Sequence, residues 1–276
     1  MRGLLLLGLA LGGLSAVLGT VTAAAPDMIA PLFAAHRGGA ALWPENSLLA
    51  FGNALALGVD YLELDVHLSR DGQVMVIHDA TLDRTTTGSG PVRDRTAAEL
   101  GALLLKDRSG GVTAETVPTL DQVVALAAAG KRQMLLEIKT DEKRRRYPDI
   151  EEKVFAVLDH HRFTPFAIVM SFEAETWRRL RQLRPDARVG ALYSARMLPP
   201  AEIERELESL RQAGIGFVGL EQRLVNADVA RQARLAGLTL GVWTVNERDA
   251  IERFVGQGVG VVITDRPDLA KAVLGR

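Results

Sequence analysis

Three carboxylates lie at the ends of two apolar segments, where they could share one cation. Glu63 and Asp65 are two residues apart in an apolar segment, so on a strand they point to the same face. Two like charges that face an enclosed site cost free energy unless a cation offsets them. Glu137, in a second apolar segment, could supply a third oxygen ligand. An all-oxygen site suits Mg²⁺, Ca²⁺ or Mn²⁺ rather than zinc, although a lone Glu-x-Asp pair is more often only a polar strand face.

Two histidines occupy comparable positions. His36 and His78 each end an apolar segment, and histidine can act as a general acid or base near neutral pH. A single histidine of this kind is more often structural, but two beside three carboxylates favour a catalytic pair. The other three, His67 and the His160-His161 pair, are interpreted as structural or surface residues.

Cationic and aromatic side chains accompany these groups. Arg37 and Lys139 stand next to the histidine and carboxylate motifs, and a guanidinium and an ammonium beside a divalent metal would bind phosphate. The alternative for each of these two residues is an ion pair with the neighbouring carboxylates. Trp243 lies in a strand-end motif and is expected to line a pocket.

The elements that must position these residues alternate between strands and helices. Apolar strands followed by amphipathic helices, as at Ile203, Leu207 and Leu210, indicate a parallel sheet covered by helices. About 250 residues after the leader fit a (β/α)₈ TIM barrel, in which reactive groups sit at the C-terminal ends of strands. The predicted strands are Phe33–His36, Tyr61–Val66, Val74–His78, Met134–Ile138, Ala167–Ser171, Val189–Tyr193, Phe217–Leu220, Leu240–Val245 and Val261–Thr264.

Two features depart from an ideal barrel. Nine predicted strands compete for eight places, so one is misassigned or lies outside. The connection from Asp65 to Val74 is too short for a crossover helix, which leaves an extended return or a hairpin around Asp71-Gly72. The Thr-, Gly- and Pro-rich stretch of residues 81–118 is predicted to be a small insertion after the third strand.

Composition and the first residues define the class of protein. The 276 residues carry 33 Lys+Arg and 34 Asp+Glu, a balance that argues against a broad nucleic-acid binder. The absence of cysteine excludes disulfides and a thiol nucleophile. Residues 1–24 have the pattern of a signal peptide: Arg2, an apolar stretch over 4–21 and small residues before cleavage after Ala23 or Ala24. An uncleaved anchor is the alternative. We expect residues 25–276 to form one exported domain, periplasmic or secreted, with no membrane span after cleavage.

An ordered set of motifs runs through the chain after the leader. The motifs are His36-Arg37-Gly38, Pro44-Glu45-Asn46-Ser47, Glu63-Leu64-Asp65-Val66, His78-Asp79, Thr81-Leu82-Asp83-Arg84-Thr85-Thr86, Val117-Pro118-Thr119-Leu120, Glu137-Ile138-Lys139, Ser171-Phe172, Trp243-Thr244-Val245-Asn246 and Ile263-Thr264-Asp265-Arg266-Pro267. This set resembles the glycerophosphodiester phosphodiesterase family, and the resemblance extends from Ala34 to Asp268. Such an ordered set is far more specific than any one motif. A small departure is Ser47, where the family more often has Thr.

This resemblance implies a fold, a reaction and a role for each residue. It implies a phospholipase-C-like barrel that hydrolyses a small glycerophosphodiester to sn-glycerol 3-phosphate and an alcohol, with one divalent cation, Ca²⁺ or Mg²⁺. The nucleophile would be the substrate's own glycerol hydroxyl, which gives a cyclic phosphate that water then opens; direct attack by water is the alternative. A phospholipid or sphingolipid headgroup phosphodiesterase is the alternative function. The implied residues are Glu63, Asp65 and Glu137 for metal, His36 and His78 for acid–base catalysis, Arg37, Lys139 and Trp243 for substrate, and Glu45 and Asn46 as supports.

Overall fold

Eight parallel strands close into a barrel in the computed structural model, which describes residues 31–276. The predicted leader, residues 1–24, lies outside the described residues. The strands are β1 Leu32–Ala35, β2 Tyr61–Leu68, β3 Val74–Val76, β4 Leu104–Lys106, β5 Val112–Thr116, β6 Gln133–Ile138, β7 Ala167–Ser171, β8 Arg188–Tyr193, β9 Phe217–Glu221, β10 Thr239–Trp243 and β11 Val261–Thr264. Around the barrel the strand order is β1-β2-β6-β7-β8-β9-β10-β11, and β11 pairs with β1 to close it.

Helices between the barrel strands cover its outer surface. Some of them begin at side-chain caps: the Ser47 hydroxyl accepts a hydrogen bond from the Ala50 amide, and Thr119 forms a capping box with Gln122. None of the helices between residues 31 and 276 combines the length and apolarity needed to cross a membrane. They are α1 Leu48–Leu57, α2 Ala97–Gly101, α3 Leu120–Ala129, α4 Ile150–His160, α5 Ala174–Leu183, α6 Ile203–Gln212, α7 Ala227–Leu235, α8 Arg248–Gly256 and α9 Pro267–Val273.

Strand alternation separates the outer core from the barrel interior. On β2, Leu62, Leu64 and Val66 join the core formed with the helices, whereas Tyr61 belongs to a separate apolar cluster inside the barrel. Side chains two residues apart share a face, so Glu63 and Asp65 continue the interior row of Tyr61 toward the C-terminal mouth. The interior is therefore apolar below and charged above.

The ninth predicted strand lies outside the barrel. β3 pairs antiparallel with the end of β2, Val66 opposite Val76, so the hairpin alternative is the right one. The predicted strand Val74–His78 ends at Val76, so His78 lies in the loop that follows β3. The hairpin extends beyond the mouth and returns, and the Ile77 amide donates to the Asp65 carbonyl at 3.0 Å. His78 reaches the mouth because this return is antiparallel.

The insertion after β3 has its own small core. β4 and β5 form a two-stranded antiparallel sheet, and α2 packs beside them. An apolar cluster separate from the barrel holds these pieces together, and it includes Met75 and Ile77 from the hairpin. The remaining members are Leu82, Val92, Leu100, Leu105 and Val117. The insertion is thus fastened to the segment that carries His78.

A glycine gives a large aromatic side chain of the barrel interior its space. Phe217 is buried inside the barrel with 1% of its surface exposed. A Cβ at Gly241, on the neighbouring strand β10, would lie 2.5 Å from Cζ of the Phe217 ring. Real Cβ atoms do not approach another atom this closely, and a close-packed interior leaves the ring little room to move.

We expect Gly241→Ala to lower the free energy of unfolding by about 1–3 kcal/mol, the usual cost of overpacking a core. Phe217→Leu should relieve the clash, so the two changes together should cost less than their sum. Gly256→Ala is the matched control, because nothing lies within 4 Å of its Cβ position in α8. Denaturant unfolding gives the free energy of unfolding of the two Gly→Ala variants, Phe217→Leu and the double variant relative to the unmodified protein. Equal stability of the Gly241 and Gly256 variants would contradict this packing argument.

Candidate active site

A cavity of about 260 Å³ opens at the C-terminal mouth of the barrel. Charged side chains from β2, β6 and the loops after β1 and β3 form one wall, and apolar side chains from β7, β8, β10 and β11 form the other. Phe172 and Trp243 meet edge to face on the apolar wall, with ring centroids 5.5 Å apart. The lining residues are His36, Arg37, Glu63, His78, Glu137, Lys139, Met170, Phe172, Leu192, Trp243, Thr244 and Ile263.

The three carboxylates predicted from the sequence come together. Ligand oxygens of Glu63, Asp65 and Glu137 all lie within 4.8 Å of one another, and all three residues are buried. Register explains this, because β2 and β6 are adjacent parallel strands and Asp65 is paired with Glu137. The loop after β1 supports the cluster: the Arg37 amide donates to Glu63 at 2.8 Å, and the Asn46 side chain donates to Asp65 at 3.0 Å.

Crowding of buried negative charge perturbs all three groups. Burial and the neighbouring Asp65 raise the pKa of Glu63 to about 7, and burial also raises the pKa of Glu137. Burial opposes ionisation of Asp65 as well, but Lys139 and other nearby cations hold its pKa well below the usual range. The buried Oδ1 atom of Asp65 accepts no hydrogen bond of good geometry. A cluster of carboxylate oxygens with a spare acceptor fits a hard divalent cation.

The two predicted phosphate ligands contact these carboxylates. Lys139 Nζ lies 2.7 Å from Glu137 Oε1 and 3.1 Å from Asp65 Oδ1. Arg37 Nη1 donates to Glu45 at 3.2 Å, while its Nε lies 3.6 Å from Asp65 and makes no hydrogen bond. The structure thus shows the ion pairs that the sequence left as the alternative. Both cations also line the cavity, so they face an incoming anion.

His36 is anchored by a carboxylate from the last strand. Its Nδ1 donates to Asp265 at 2.6 Å, and Asp265 is itself held by the Asn246 side chain at 2.7 Å. This leaves Nε2 facing the cavity, 4.0 Å from Glu63. Burial alone would lower the pKa of His36, but Glu63 and the Asp265 hydrogen bond outweigh it and raise the pKa above its ordinary value.

His78 has an equivalent anchor in its own motif. Its Nδ1 donates to the adjacent Asp79 at 2.6 Å, which again leaves Nε2 for the cavity. Asp79 in turn accepts from Arg84, a residue of the insertion, at 2.6 Å. Hydrogen bonds from His78 and Arg84 outweigh burial and hold the pKa of Asp79 well below its usual range.

Sequence reasoning assigned no role to four residues that the structure brings to the site: Asp79, Arg84, Asn246 and Asp265. A local signal was present for Asp79, because it directly follows His78 and a catalytic histidine needs a partner for its second ring nitrogen. No such signal links Asp265 to His36, since the two residues are 229 positions apart.

The remaining histidines lie outside the cavity. His67 is buried on β2, where Nδ1 accepts from the Tyr147 hydroxyl and Nε2 donates to the His78 carbonyl, both at 3.0 Å. Burial lowers the pKa of His67 to about 4, consistent with a neutral structural ring. His161 contacts Asp121 at 2.8 Å on the surface between α3 and α4, and the exposed His160 lies beside it.

Comparison with known proteins places this architecture in a family. The model of the glycerophosphoryl diester phosphodiesterase family matches residues 36–269. A glycerophosphodiester phosphodiesterase from Caldanaerobacter subterraneus is 33% identical over 86% of this chain and 95% of the relative. Another from Bacillus subtilis is 32% identical over 97% of this chain and 96% of the relative.

Solved structures agree with the sequence relatives. A glycerophosphodiester phosphodiesterase from Agrobacterium tumefaciens superimposes with a TM-score of 0.72 at 26% identity, covering 88% of this chain and 99% of that chain. A phosphodiesterase from Oleispira antarctica, in complex with the product sn-glycerol-3-phosphate, superimposes with a TM-score of 0.75 at 26% identity, covering 89% and 97%. The chain therefore belongs to the glycerophosphoryl diester phosphodiesterase family, and it is an enzyme that hydrolyses phosphoric diesters of glycerol.

Proposed function

We propose that the chain hydrolyses glycerophosphodiesters to sn-glycerol 3-phosphate and an alcohol, with a divalent cation and a histidine acid–base pair. One observation carries this proposal: a single cavity is lined by Glu63 and Glu137 of the buried three-carboxylate cluster and by two histidines, each anchored through Nδ1 by an aspartate. The product sn-glycerol-3-phosphate is bound by the Oleispira relative. A phospholipid or sphingolipid headgroup as substrate has less support, since the curated relatives named above are glycerophosphodiester phosphodiesterases.

Glu63, Asp65 and Glu137 are the residues that would hold the cation, Ca²⁺ or Mg²⁺. Their donor set is all oxygen, and Asp65 Oδ1 is already paired with a cation, the Lys139 ammonium at 3.1 Å. A bound cation would polarise phosphoryl oxygens and lower the pKa of a coordinated hydroxyl. Asn46 and the Arg37 amide hold Asp65 and Glu63 in place, which supports the predicted role of the Glu45-Asn46 segment.

The histidines move the protons of the reaction. With Nδ1 donating to an aspartate, each ring presents Nε2 to the cavity, which is the nitrogen that exchanges protons with substrate. One histidine takes the proton of the attacking hydroxyl as its oxygen bonds to phosphorus, and the other gives a proton to the alcohol oxygen as its bond to phosphorus breaks. When the attacking hydroxyl is the substrate's own, the product of this step is a cyclic phosphate, which water then opens to sn-glycerol 3-phosphate. The aspartates fix the tautomer and the orientation of each ring.

Arg37 and Lys139 are placed to hold the phosphodiester. Both cations line the cavity beside the carboxylate cluster, and the Nε of Arg37 makes no hydrogen bond within the described residues. A fixed cation helps most where negative charge develops in the transition state. Trp243, on the opposite wall, provides an apolar surface for the glycerol or the alcohol, and its buried Nε1 makes no hydrogen bond within the described residues.

We also propose that the mature chain is exported to the periplasm or the medium. The support is the leader pattern of residues 1–24 alone. N-terminal sequencing of the exported chain should find a start at Ala24 or Ala25. A chain that retains Met1 would contradict the cleavage.

Metal removal should abolish turnover, because three carboxylates without a cation repel a phosphodiester. Mg²⁺ or Ca²⁺ should restore turnover. The affinity for the metal should fall below about pH 7, since a proton then competes with the cation for Glu63.

The variant Lys139→Met, measured in the same metal titration, separates two roles for Lys139: binding the phosphate or only ordering the carboxylates. If Lys139 binds the phosphate, the variant should lose about 10²-fold in kcat/KM even at saturating metal. Metal affinity should stay equal or rise, because a competing cation has left.

Two results would contradict these assignments. Full turnover in excess chelator, with metal content shown to be nil, would overturn the metal requirement. Recovery of Lys139→Met at saturating metal would show that Lys139 only orders the carboxylates. Lys143→Met, at an exposed lysine of the loop after β6, is the matched control and should titrate like the unmodified enzyme.

His36→Ala and His78→Ala should each lower kcat by about 10²–10⁴, the usual contribution of a positioned acid or base. Both rings sit at the mouth rather than in the core, so the melting temperature should change little. His160→Ala, at the exposed end of α4, is the control and should keep full activity. A loss in only one of the two active-site variants would contradict the pair.

A further inference from the structure

Arg84 belongs to a motif of the insertion, and it bridges two carboxylates beside the cavity. Its Nε and Nη2 donate to Asp79 at 2.6 and 3.1 Å, and its Nη1 and Nη2 donate to Glu45, both at 2.8 Å. Each carboxylate is therefore gripped by two donors, the strongest geometry a guanidinium offers. The pKa of Arg84 is raised by these hydrogen bonds, so the cation is firmly held.

A continuous set of contacts runs from this arginine to the proposed acid–base residue. Asp79 Oδ1 accepts from His78 Nδ1 at 2.6 Å, and the same oxygen lies 3.1 Å from Arg84 Nη2. The guanidinium therefore fixes the plane of the carboxylate that fixes the imidazole. The Asp79 side chain is 27% exposed, so without this clamp water could compete for its oxygens and the carboxylate could rotate.

The two histidines differ in what holds their anchors. Asp265, the anchor of His36, is held by Asn246 and follows the last barrel strand directly. Asp79, the anchor of His78, receives its side-chain hydrogen bonds from His78 and Arg84 within the described residues. The barrel fixes the first anchor, whereas the insertion fixes the second.

Arg84 has little capacity left to bind substrate. Four hydrogen bonds to Asp79 and Glu45 use most of its N–H groups. Its side chain is 49% exposed, and it does not line the cavity, unlike Arg37 and Lys139. The geometry points away from a direct contact with phosphate.

We propose that Arg84 is a positioning residue for the hydrolysis, which acts by clamping Asp79 so that the His78 ring is held for proton transfer. The inference rests on the proposed role of His78. It gives the insertion a function in the reaction, because the clamp joins it to the loop after β1 through Glu45. Removal of such a supporting residue typically lowers activity by about 10–100-fold.

A double-mutant cycle between Arg84 and Asp79 tests this inference on the full enzyme with metal present. Arg84→Met keeps the stem and should lower kcat by about 10–100-fold, with KM and metal affinity within about threefold. In an Asp79→Ala background, the same change should lower kcat by less than about twofold, because its route to His78 is already lost. Arg70→Met is the matched control: it pairs with Glu99 of the same insertion away from the cavity, and kcat should be unchanged.

Other outcomes overturn the inference. Multiplicative losses in the double variant would mean that Arg84 acts independently of Asp79, and a raised KM with kcat retained would make it a substrate ligand. If Arg84→Met lowers the melting temperature, Asp79→Asn replaces it as the test, and a kcat equal to that of the unmodified enzyme would overturn the clamp. Full activity of His78→Ala would instead refute the proposed function itself, so the two failures are distinguishable.

Discussion

The mouth of this barrel is organised around buried negative charge. Three carboxylates within 4.8 Å of one another cannot all ionise in a low-dielectric site without nearby cations or donors. The surrounding residues respond to that constraint. Lys139 and Arg37 approach the cluster as cations, while Asn46 and a backbone amide donate to it. The same arrangement is compatible with the divalent cation and the phosphodiester that we propose to bind here.

The barrel can support this charge because its polar and apolar layers are separated along each strand. Interior side chains alternate with those that face the helices, so a single strand contributes Tyr61 to the apolar interior and Glu63 to the site above it. The apolar layer excludes water from below, which strengthens every electrostatic interaction at the mouth. Space in that layer is limited, as the contact between Gly241 and the Phe217 ring shows.

The two histidines reach the same cavity by different routes. His36 directly follows β1, and its anchor Asp265 follows the adjacent strand β11, so barrel closure alone brings them together. His78 arrives through an antiparallel hairpin that lies outside the barrel, and its neighbourhood is completed by the insertion. The insertion after β3, which interrupts the alternation of strands and helices, therefore contributes hydrogen bonds to the anchor of His78.

The sequence by itself determined the class of fold and most residues of the candidate site. The alternation of apolar strands and amphipathic helices is a local pattern, and parity along a strand is enough to place Glu63 and Asp65 on one face. The strand-end motifs are likewise local, so the sequence alone predicts Glu137, Lys139 and Trp243 as site residues.

Only the tertiary structure decided how distant segments meet. Periodicity could not tell a parallel barrel strand from the hairpin strand that carries His78, because both are short apolar runs. The pairing of His36 with Asp265 spans 229 residues, and the clamp of Arg84 on Glu45 spans 39. Such contacts depend on barrel closure and on the path of the insertion. No local pattern encodes either one, since both follow from packing the whole chain around one interior.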